Sequence, residues 1–176
     1  TYTVTVSDVN NCSAIANVII TEPDSLFIYI VDTDSATCYN TADGSAEVLA
    51  DGGNGGYIYP WSSLDTGTVI TGLLPGIYTA SVVDNKGCEA TVDVEILSPP
   101  ALTSQMVEID ATCFYSFDGE AEIIAGSSIP IVSYNWSNNV SNALNTGISA
   151  GTYYVTVEDA NGCTLEDTAV INAPDT

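Results

Sequence analysis

The chain has 176 residues, 45% of them apolar, and it carries 23 acidic residues against one basic residue, Lys86, with no histidine. The formal net charge of −22 excludes nucleic acid as a partner and argues against anionic membrane surfaces, because both are bound through Lys and Arg. General-base, oxyanion-clamping and phosphate-clamping roles usually need His, Arg or Lys, so the composition also argues against an enzyme.

The first element predicted along the chain is a β-hairpin, "TYTVTVSDVNNC", whose alternating strand leads into a turn and ends at Cys12. The same hairpin returns as "GIYTASVVDNKGC", ending at Cys88, and as "TYYVTVEDANGC", ending at Cys163. A hairpin that recurs every 75 or 76 residues indicates tandem repeats. Because Thr1 falls inside an alternating strand, we expect the chain to be a window of a longer protein.

Each complete repeat is predicted to be all β, because Val, Ile, Thr and Tyr dominate its segments and no helical period is sustained. Asp-Gly, Gly-Gly, Pro-Gly and Asn-Gly separate the segments and supply the backbone angles of tight turns. In the first complete repeat we predict strands near 26–31, 46–50, 57–61, 68–73, 77–83 and 90–97. Six or seven short strands in about 75 residues are typical of a small immunoglobulin-like β-sandwich.

The repeat extends well beyond the hairpin. "TCYNTADGSAEVLADGG" at 37–53 reappears as "TCFYSFDGEAEIIAGSS" at 112–128, and "YPWSS" at 59–63 returns as "YNWSN" at 134–138. Each copy closes on a strand followed by proline, which cannot donate to a β-ladder. We predict the C-terminal strands of a truncated preceding repeat at 1–22, full repeats at 23–98 and 99–173, and the start of the next repeat at 174–176.

Alternation within the strands predicts the core. In "IYTASVV" the inward face is either Tyr78, Ala80 and Val82 or Ile77, Thr79, Ser81 and Val83, and the match with Tyr2, Val4 and Val6 of the first hairpin favours the first set. Trp61 and Trp136 occupy equivalent places in the third strand, where a sandwich usually buries its large aromatic side chain. We therefore predict that both tryptophans are core residues.

Cysteines follow the repeat, with two in each complete copy and Cys12 in the truncated tail. Without His, a zinc site would need four thiolates from separate repeats, so the cysteines predict disulfides and an oxidising compartment. Two pairings respect the period. The bonds run either within repeats or across joints, as Cys38–Cys88 and Cys113–Cys163 or as Cys12–Cys38 and Cys88–Cys113.

Loop entropy barely separates the two pairings, since closing about 50 residues contributes roughly 4 kcal/mol and closing about 26 contributes roughly 3.6 kcal/mol. Six alternating strands would bring Cys38 and Cys88 to one end of the sandwich, and a seventh strand in 62–73 would reverse that parity. We favour bonds within repeats, with Cys12 bonded to a preceding repeat, because a sandwich of about 75 residues is near the size that needs a cross-link.

The combined pattern resembles a known family. "C-x4-DG-x-A-E", followed by "Y-x-W-S", "TG-x3-G-x-Y" and "V-x-D-x2-GC", resembles the SprB-type repeat of the giant surface adhesins of gliding Bacteroidetes, related in outline to PKD and immunoglobulin-like modules. In the first full repeat it is carried by Cys38, Asp43, Gly44, Trp61, Gly72, Gly76, Tyr78, Asp84, Gly87 and Cys88. The second repeat departs from it at "SSIPIVSYNW". The resemblance implies tandem modules in a long secreted or surface-anchored fibre and no catalysis.

We therefore predict a structural and adhesive segment of an extracellular or cell-surface filament. Expected partners are adjacent repeats of the same chain, lateral copies of the filament, and a surface polysaccharide or substratum. No membrane insertion of this segment is expected, since the uncharged stretch 123–157 is rich in Ser, Asn and Gly. The alternatives are a carbohydrate-binding accessory module of a secreted enzyme, which needs a row of exposed aromatics, and a calcium-stiffened linker.

Candidate sites are few. No cofactor is expected, and calcium is kept as an alternative ligand of the turn aspartates Asp32, Asp34, Asp43, Asp84, Asp118 and Asp159. Calcium needs six to eight oxygens and only Asp32-x-Asp34 begins a loop pattern, so turn formation is the preferred interpretation. Asp-Ser or Asp-Thr followed by an apolar residue resembles the O-glycosylation motif of Bacteroidetes envelope proteins and implies glycans on Ser25, Ser35 and Thr168.

Overall fold

The computed structural model describes residues 1–175, so the last residue of the predicted segment 174–176 lies outside the described residues. Every regular element of the described chain is a β-strand, and no helix that could cross a membrane occurs among these residues. The prediction of an all-β fold is confirmed. The strands form one two-stranded hairpin followed by two sets of paired sheets.

The hairpin at the start of the chain consists of β1 (Tyr2–Ser7) and β2 (Ser13–Val18), paired antiparallel from Tyr2↔Val18 to Ser7↔Ser13. All of its residues are exposed, including the alternating face that is buried in the two equivalent hairpins further along the chain. An isolated two-stranded hairpin buries too little apolar surface to be stable alone.

The first sandwich is built from β3 to β7, which are Phe27–Asp34, Gly44–Asp51, Val69–Leu73, Gly76–Val83 and Glu89–Ile96. One sheet has the order β3-β4-β5 and the other pairs β6 with β7. The segment predicted as a strand at 57–61 joins β6 only through isolated bridges, Ile58↔Val83 and Trp61↔Ala80.

The second sandwich repeats this plan with β8 to β13, which are Thr103–Ile109, Gly119–Gly126, Ile131–Trp136, Leu144–Ile148, Gly151–Asp159 and Thr164–Ile171. Its sheets have the orders β8-β9-β11 and β10-β12-β13. Here the segment equivalent to 57–61 is the regular strand β10, paired with β12.

Two separate cores lie between the sheets. The first includes Val48 from one sheet and Ala80 and Val94 from the other, all fully buried, with Tyr78 packed at its margin. The second includes Ile123 and Val155 in the equivalent arrangement. Alternating strands that each bury one face produce this arrangement, as in immunoglobulin-like sandwiches. The predicted inward face of β6 is confirmed, whereas the predicted boundaries at residues 23, 98 and 173 stay predictions.

Both tryptophans are core residues, as predicted. Trp61 is 4% exposed and Trp136 is 1% exposed. Each indole nitrogen donates a hydrogen bond of 2.9 Å to a backbone carbonyl, of Gly67 for Trp61 and of Asn142 for Trp136. These bonds satisfy the one polar atom of the ring, so the indole is buried without an unpaired donor.

The strand directions of the second sandwich show at which end the chain enters and at which end it leaves. β13 runs alongside β8 in the same direction, because Ser104 hydrogen-bonds Asp167 while Ala111 hydrogen-bonds Asn172. The antiparallel pairings then require that β10 and β11 also share one direction. These two strands are successive halves of one pass that changes sheet on the way. The six strands of the second sandwich therefore make five passes, and an odd number of passes leaves the chain at the end opposite to its entry.

Candidate joint between the two sandwiches

The hairpin turns that carry Cys12, Cys88 and Cys163 have the same shape. In the third hairpin the Asp159 backbone N–H donates to the Cys163 carbonyl at 3.0 Å, and one Asp159 carboxylate oxygen accepts the N–H groups of Asn161 and Cys163 at 2.9 and 3.0 Å. Asp84 and Asp8 make the corresponding bonds, at 2.8 to 3.0 Å. The recurring aspartate therefore positions the cysteine that follows it.

The loops that carry Cys38 and Cys113 also share one shape. The Cys38 N–H donates to the Thr41 hydroxyl at 3.2 Å, and that hydroxyl donates to the Cys38 carbonyl at 2.9 Å. Ser116 takes the place of Thr41 around Cys113, with distances of 3.1 and 2.9 Å. At the centre of each loop an aspartate carboxylate accepts a threonine N–H at 3.1 Å, Thr37 to Asp43 and Thr112 to Asp118.

These hydrogen bonds favour the charged form of the loop aspartates. The Ser116 hydroxyl and then the Thr112 hydroxyl lower the pKa of Asp118 to about 2. The Thr37 hydroxyl also lowers the pKa of Asp43 below its ordinary value. A carboxyl whose pKa is lower in the folded state stabilises the fold above its unfolded pKa, and that contribution is lost as the pH falls through the folded pKa.

Acid should therefore weaken the second sandwich partly through Asp118. Its contribution is complete above about pH 4, the ordinary aspartate pKa, and is lost towards pH 2. We expect Asp118→Asn to lower the denaturation midpoint at pH 7 and to narrow the difference between the midpoints at pH 7 and pH 2.5. Urea titrations at the two pH values measure this, with Glu95→Gln, an exposed carboxylate on β7, as the charge control. An unchanged pH difference in Asp118→Asn would contradict the assignment.

The Asp84 carboxylate also ties the second hairpin to another loop. It is 5% exposed and accepts bonds from the Asn54 backbone N–H at 2.9 Å and from the Asn54 side-chain amide at 2.7 Å. That amide, followed by the backbone donors of Cys88, Asn54 and Lys86, holds the pKa of Asp84 well below its usual range. A backbone bond beside this contact recurs in both sandwiches: the Asn85 N–H donates to the Gly55 carbonyl at 3.0 Å, and the Ala160 N–H donates to the Pro130 carbonyl at 2.9 Å.

The joint itself is formed where the loop of the first sandwich meets the last hairpin of the second. Cys38 and Cys163 form a disulfide with a Cα–Cα distance of 5.6 Å. The Asn161 side-chain amide donates to the Thr37 carbonyl at 3.2 Å, beside the bond. A cleft of about 430 Å³ between the two sandwiches is lined by residues of both and by the connecting segment 99–102. Neither Asn161 nor Thr37 was predicted, since their contact depends on how the sandwiches stack.

The predicted disulfide pairing within repeats is wrong for Cys38 and Cys163. Cys88 precedes β7, whereas Leu97 at the far end of β7 accepts a hydrogen bond from Ala36, two residues before Cys38. Eight strand residues at about 3.3 Å each separate the two cysteines by roughly 26 Å. A disulfide needs Cα atoms within about 7 Å, so Cys38–Cys88 cannot form. The alternative pairing across joints, Cys12–Cys38 and Cys88–Cys113, is not observed either.

Among residues 1–175 the remaining cysteines, Cys12, Cys88 and Cys113, are free and exposed. The structure therefore bonds two of the four cysteines that were predicted to pair inside the chain. Desolvation and the neighbouring Asp84 carboxylate raise the pKa of the Cys88 thiol. A raised pKa lowers the thiolate fraction, so Cys88 is expected to exchange slowly with disulfides at neutral pH.

The aspartates proposed as calcium ligands each accept local hydrogen bonds at separate places in the fold. Asp32 accepts the Thr33 N–H, Asp34 accepts the Ser45 hydroxyl, and the other four shape the turns described above. Within the described part of the chain, no group of three or more potential ligands could hold a metal ion. The calcium hypothesis itself stays a prediction.

All three residues with the O-glycosylation motif are exposed. Ser25 precedes β3, Ser35 follows it, and Thr168 lies on β13 with its N–H donated to the Asp167 carboxylate. A sugar on any of the three hydroxyl groups would extend into solvent. Their modification stays a prediction.

Separate β-sandwiches that meet end to end across a disulfide define a modular all-β protein. Residues 30–66, which include the Cys38 loop and Trp61, match the family model described as the SprB repeat. The resemblance inferred from the sequence is confirmed for this segment. Comparison with curated proteins found no match.

Several solved structures of immunoglobulin-domain proteins are similar to this chain at low identity. The N-terminal eight Ig domains of Down Syndrome Cell Adhesion Molecule align with 14% identity and a TM-score of 0.49, over 96% of this chain and 26% of that chain. Dpr2 Ig1-Ig2 in complex with DIP-Theta aligns with 10% identity and a TM-score of 0.34, over 98% and 72%. Murine CEACAM1b aligns with 12% identity and a TM-score of 0.30, over 85% and 100%.

Proposed function

We propose that this chain is a non-catalytic structural and adhesive segment of a long filament outside the cell. In that filament each β-sandwich repeat of about 75 residues is one stiff link, and adjacent repeats of the same chain are its first partners. The observation that carries the proposal is the joint, where Cys38 and Cys163 connect facing ends of two sandwiches. A disulfide of this kind implies an oxidising compartment such as the cell exterior.

The path of the chain supports a linear arrangement. Each sandwich is entered beside its cysteine hairpin and left beside its cysteine loop, at the opposite end. Strands of eight or nine residues make a sandwich roughly 25 to 30 Å long. The connecting Pro99 and Pro100 restrict the backbone between the links. Tens of such links would extend far from a cell surface.

The charge of the surface and its exposed hydroxyl groups are consistent with a filament that is exposed to solvent. A net charge of −22 keeps a long chain soluble and resists self-association at low salt. Exposed Ser25, Ser35 and Thr168 offer attachment points for glycans on this acidic surface. A surface polysaccharide or the substratum is the proposed adhesion target, and lateral copies of the filament are further proposed partners.

The burial of the tryptophans argues against the carbohydrate-binding alternative. Trp61 and Trp136 are 4% and 1% exposed, so neither indole can stack on a sugar ring. Specific binding of the chain on a glycan array, at an affinity typical of accessory modules, would favour that alternative. A melting temperature that is unaffected by chelator would exclude the alternative function of a calcium-stiffened linker.

A filament link must carry tension, and the joint predicts how this chain does so. When the oxidised chain is pulled from both ends, the disulfide should keep the segment between Cys38 and Cys163 from extending, and these cysteines are 125 residues apart. At 3.3 to 3.6 Å per residue, the hidden length is about 400 to 450 Å. Single-molecule pulling should therefore show a contour length that increases by this amount after reduction.

The matched control is Cys163→Ser, which should reach the long extension without a reductant. Cys12→Ser removes an exposed free thiol and should behave like the unsubstituted chain. Equal extension of the oxidised and reduced chains would mean that the joint bears no load, and the proposed role as a filament link would fail.

A further inference from the structure

We propose that the Cys38–Cys163 bond is one step of a staggered ladder, in which the loop cysteine of each repeat bonds to the hairpin cysteine of the next repeat. Cys113 and Cys88 then each supply one half of a further joint of the same kind. Cys113 pairs with the hairpin cysteine of a following repeat, and Cys88 with the loop cysteine of a preceding repeat. The inference rests on the proposed filament, since it needs neighbouring repeats.

The free cysteines are already held in the geometry of the bonded ones. The Cys113 loop repeats each hydrogen bond of the Cys38 loop, with Ser116 and Asp118 in place of Thr41 and Asp43. The Cys88 hairpin likewise repeats the bonds of the Cys163 hairpin around its aspartate. No rearrangement of either element is needed for a second and a third joint.

Geometry excludes the competing partners within a repeat. Like Cys38 and Cys88, Cys113 and Cys163 lie at opposite ends of one sandwich, because Ala111 contacts Asn172 at the end of β13 while Cys163 precedes its start. Cys113 at the exit end can therefore meet only a cysteine that approaches from outside this sandwich. A following repeat would present its hairpin there, as the second sandwich presents its hairpin to Cys38.

The surface around Cys113 also carries exposed aromatic side chains. Phe114, Tyr115 and Phe117 are 50%, 81% and 72% exposed, and the first two rings pack edge to face at 4.8 Å. At the observed joint the residue equivalent to Phe114, Tyr39, lines the cleft between the two sandwiches and is itself 62% exposed. A patch of three exposed aromatic side chains beside a free thiol fits a protein surface that a neighbouring hairpin covers.

The hairpin that carries Cys88 offers a matching contact. Its residue equivalent to Asn161, which donates to the Thr37 carbonyl at the observed joint, is Lys86. An ammonium group donates to a carbonyl as an amide does. The single cation of the chain thus stands where a preceding repeat would present the carbonyl of its loop.

The ladder limits how far the fibre can extend. Each bond encloses 125 residues, whereas the repeat advances by 75, so the loops closed by successive bonds overlap. Tension can pass along the chain through every second disulfide. The backbone between two such disulfides, from a hairpin cysteine to the loop cysteine of the following repeat, is about 25 residues for every two repeats, or roughly 90 Å at full stretch. Two sandwiches of roughly 25 to 30 Å each already span about 50 to 60 Å of that length, so the disulfides limit any further extension.

Bond formation needs an oxidant. Two thiols lose two protons and two electrons to a small-molecule disulfide, which is reduced to two thiols, and the new sulfur–sulfur bond joins the repeats. Oxidised glutathione supplies this chemistry during refolding. Correct pairing then depends on which cysteines the folded repeats bring together.

The test extends the chain by one repeat, replacing 174–176 with a second copy of 99–173. The ladder predicts three free thiols in the oxidised product, namely Cys12, Cys88 and the loop cysteine of the added copy. Cys113→Ser should raise the count to four, because it releases the hairpin cysteine of that copy. Alkylation without reduction, followed by intact mass measurement, counts the thiols.

Two controls separate pairing from misfolding. Cys88→Ser in the extended chain should lower the count by one, and Cys113→Ser in the original chain should also lower it by one. A count that falls with Cys113→Ser in the extended chain would overturn the ladder. The pulling experiment on the original chain is independent of this result, so the ladder can fail while the filament function stands.

Discussion

Trypsin should leave the oxidised chain in two fragments that stay joined, since its one cleavage site, after Lys86, lies between Cys38 and Cys163. Cys88→Ser should not change this result, because Cys88 is free. Cys163→Ser should release fragment 1–86 without any reductant. The effect is all or none, because the Cys38–Cys163 bond is the covalent link between the fragments.

The experiment distinguishes the observed pairing from the pairing within repeats. Bonds Cys38–Cys88 and Cys113–Cys163 would also hold the fragments together, but then Cys88→Ser would separate them and Cys163→Ser would not. Thiols are first blocked with iodoacetamide in the folded protein, and the chain is then unfolded and cleaved. Electrophoresis with and without reductant reads the outcome. Separation of the fragments in Cys88→Ser would refute the joint described here.

Replacing Trp136 by alanine should destabilise the second sandwich by about 3 to 5 kcal/mol, the usual range for a fully buried large aromatic. The cavity left in the second core accounts for most of the loss, and the Asn142 carbonyl also loses its hydrogen bond. Small domains are stable by only 5 to 15 kcal/mol, so the variant should lie near the limit of folding.

The first sandwich should be unaffected by this substitution, because the two cores share no buried residue. In Trp136→Ala the fluorescence of Trp61 reports on the first sandwich alone, while calorimetry follows both transitions. Trp136→Phe keeps much of the ring volume and removes the N–H donor, so it should cost less than alanine. Equal shifts of both transitions in Trp136→Ala would show that the sandwiches unfold as one unit, contrary to the separate cores.

Local patterns in the sequence were sufficient to predict the strands and their buried faces. The alternation in 77–83, together with its match to the first hairpin, correctly placed Ala80 and Val82 in the core, because side chains of a strand alternate between its two faces. The burial of both tryptophans and the role of Asp84 and Asp159 in turns followed from the same short-range rules. The segment 57–61 is the exception, since pairing with β6 depends on a loop that differs between the two sandwiches.

The cysteine partners show what only the tertiary structure decided. The sequence by itself determined that the cysteines recur with the repeat, and that hairpin and loop each hold one cysteine in place. The sequence did not reveal that β10 and β11 run in one direction but belong to different sheets. No local pattern marks the point where the chain changes sheet. That change sets the number of passes to five and places the two cysteines of a repeat at opposite ends. The bond therefore crosses to the next sandwich, since a covalent link depends on where chain ends meet in space and not on their spacing along the sequence.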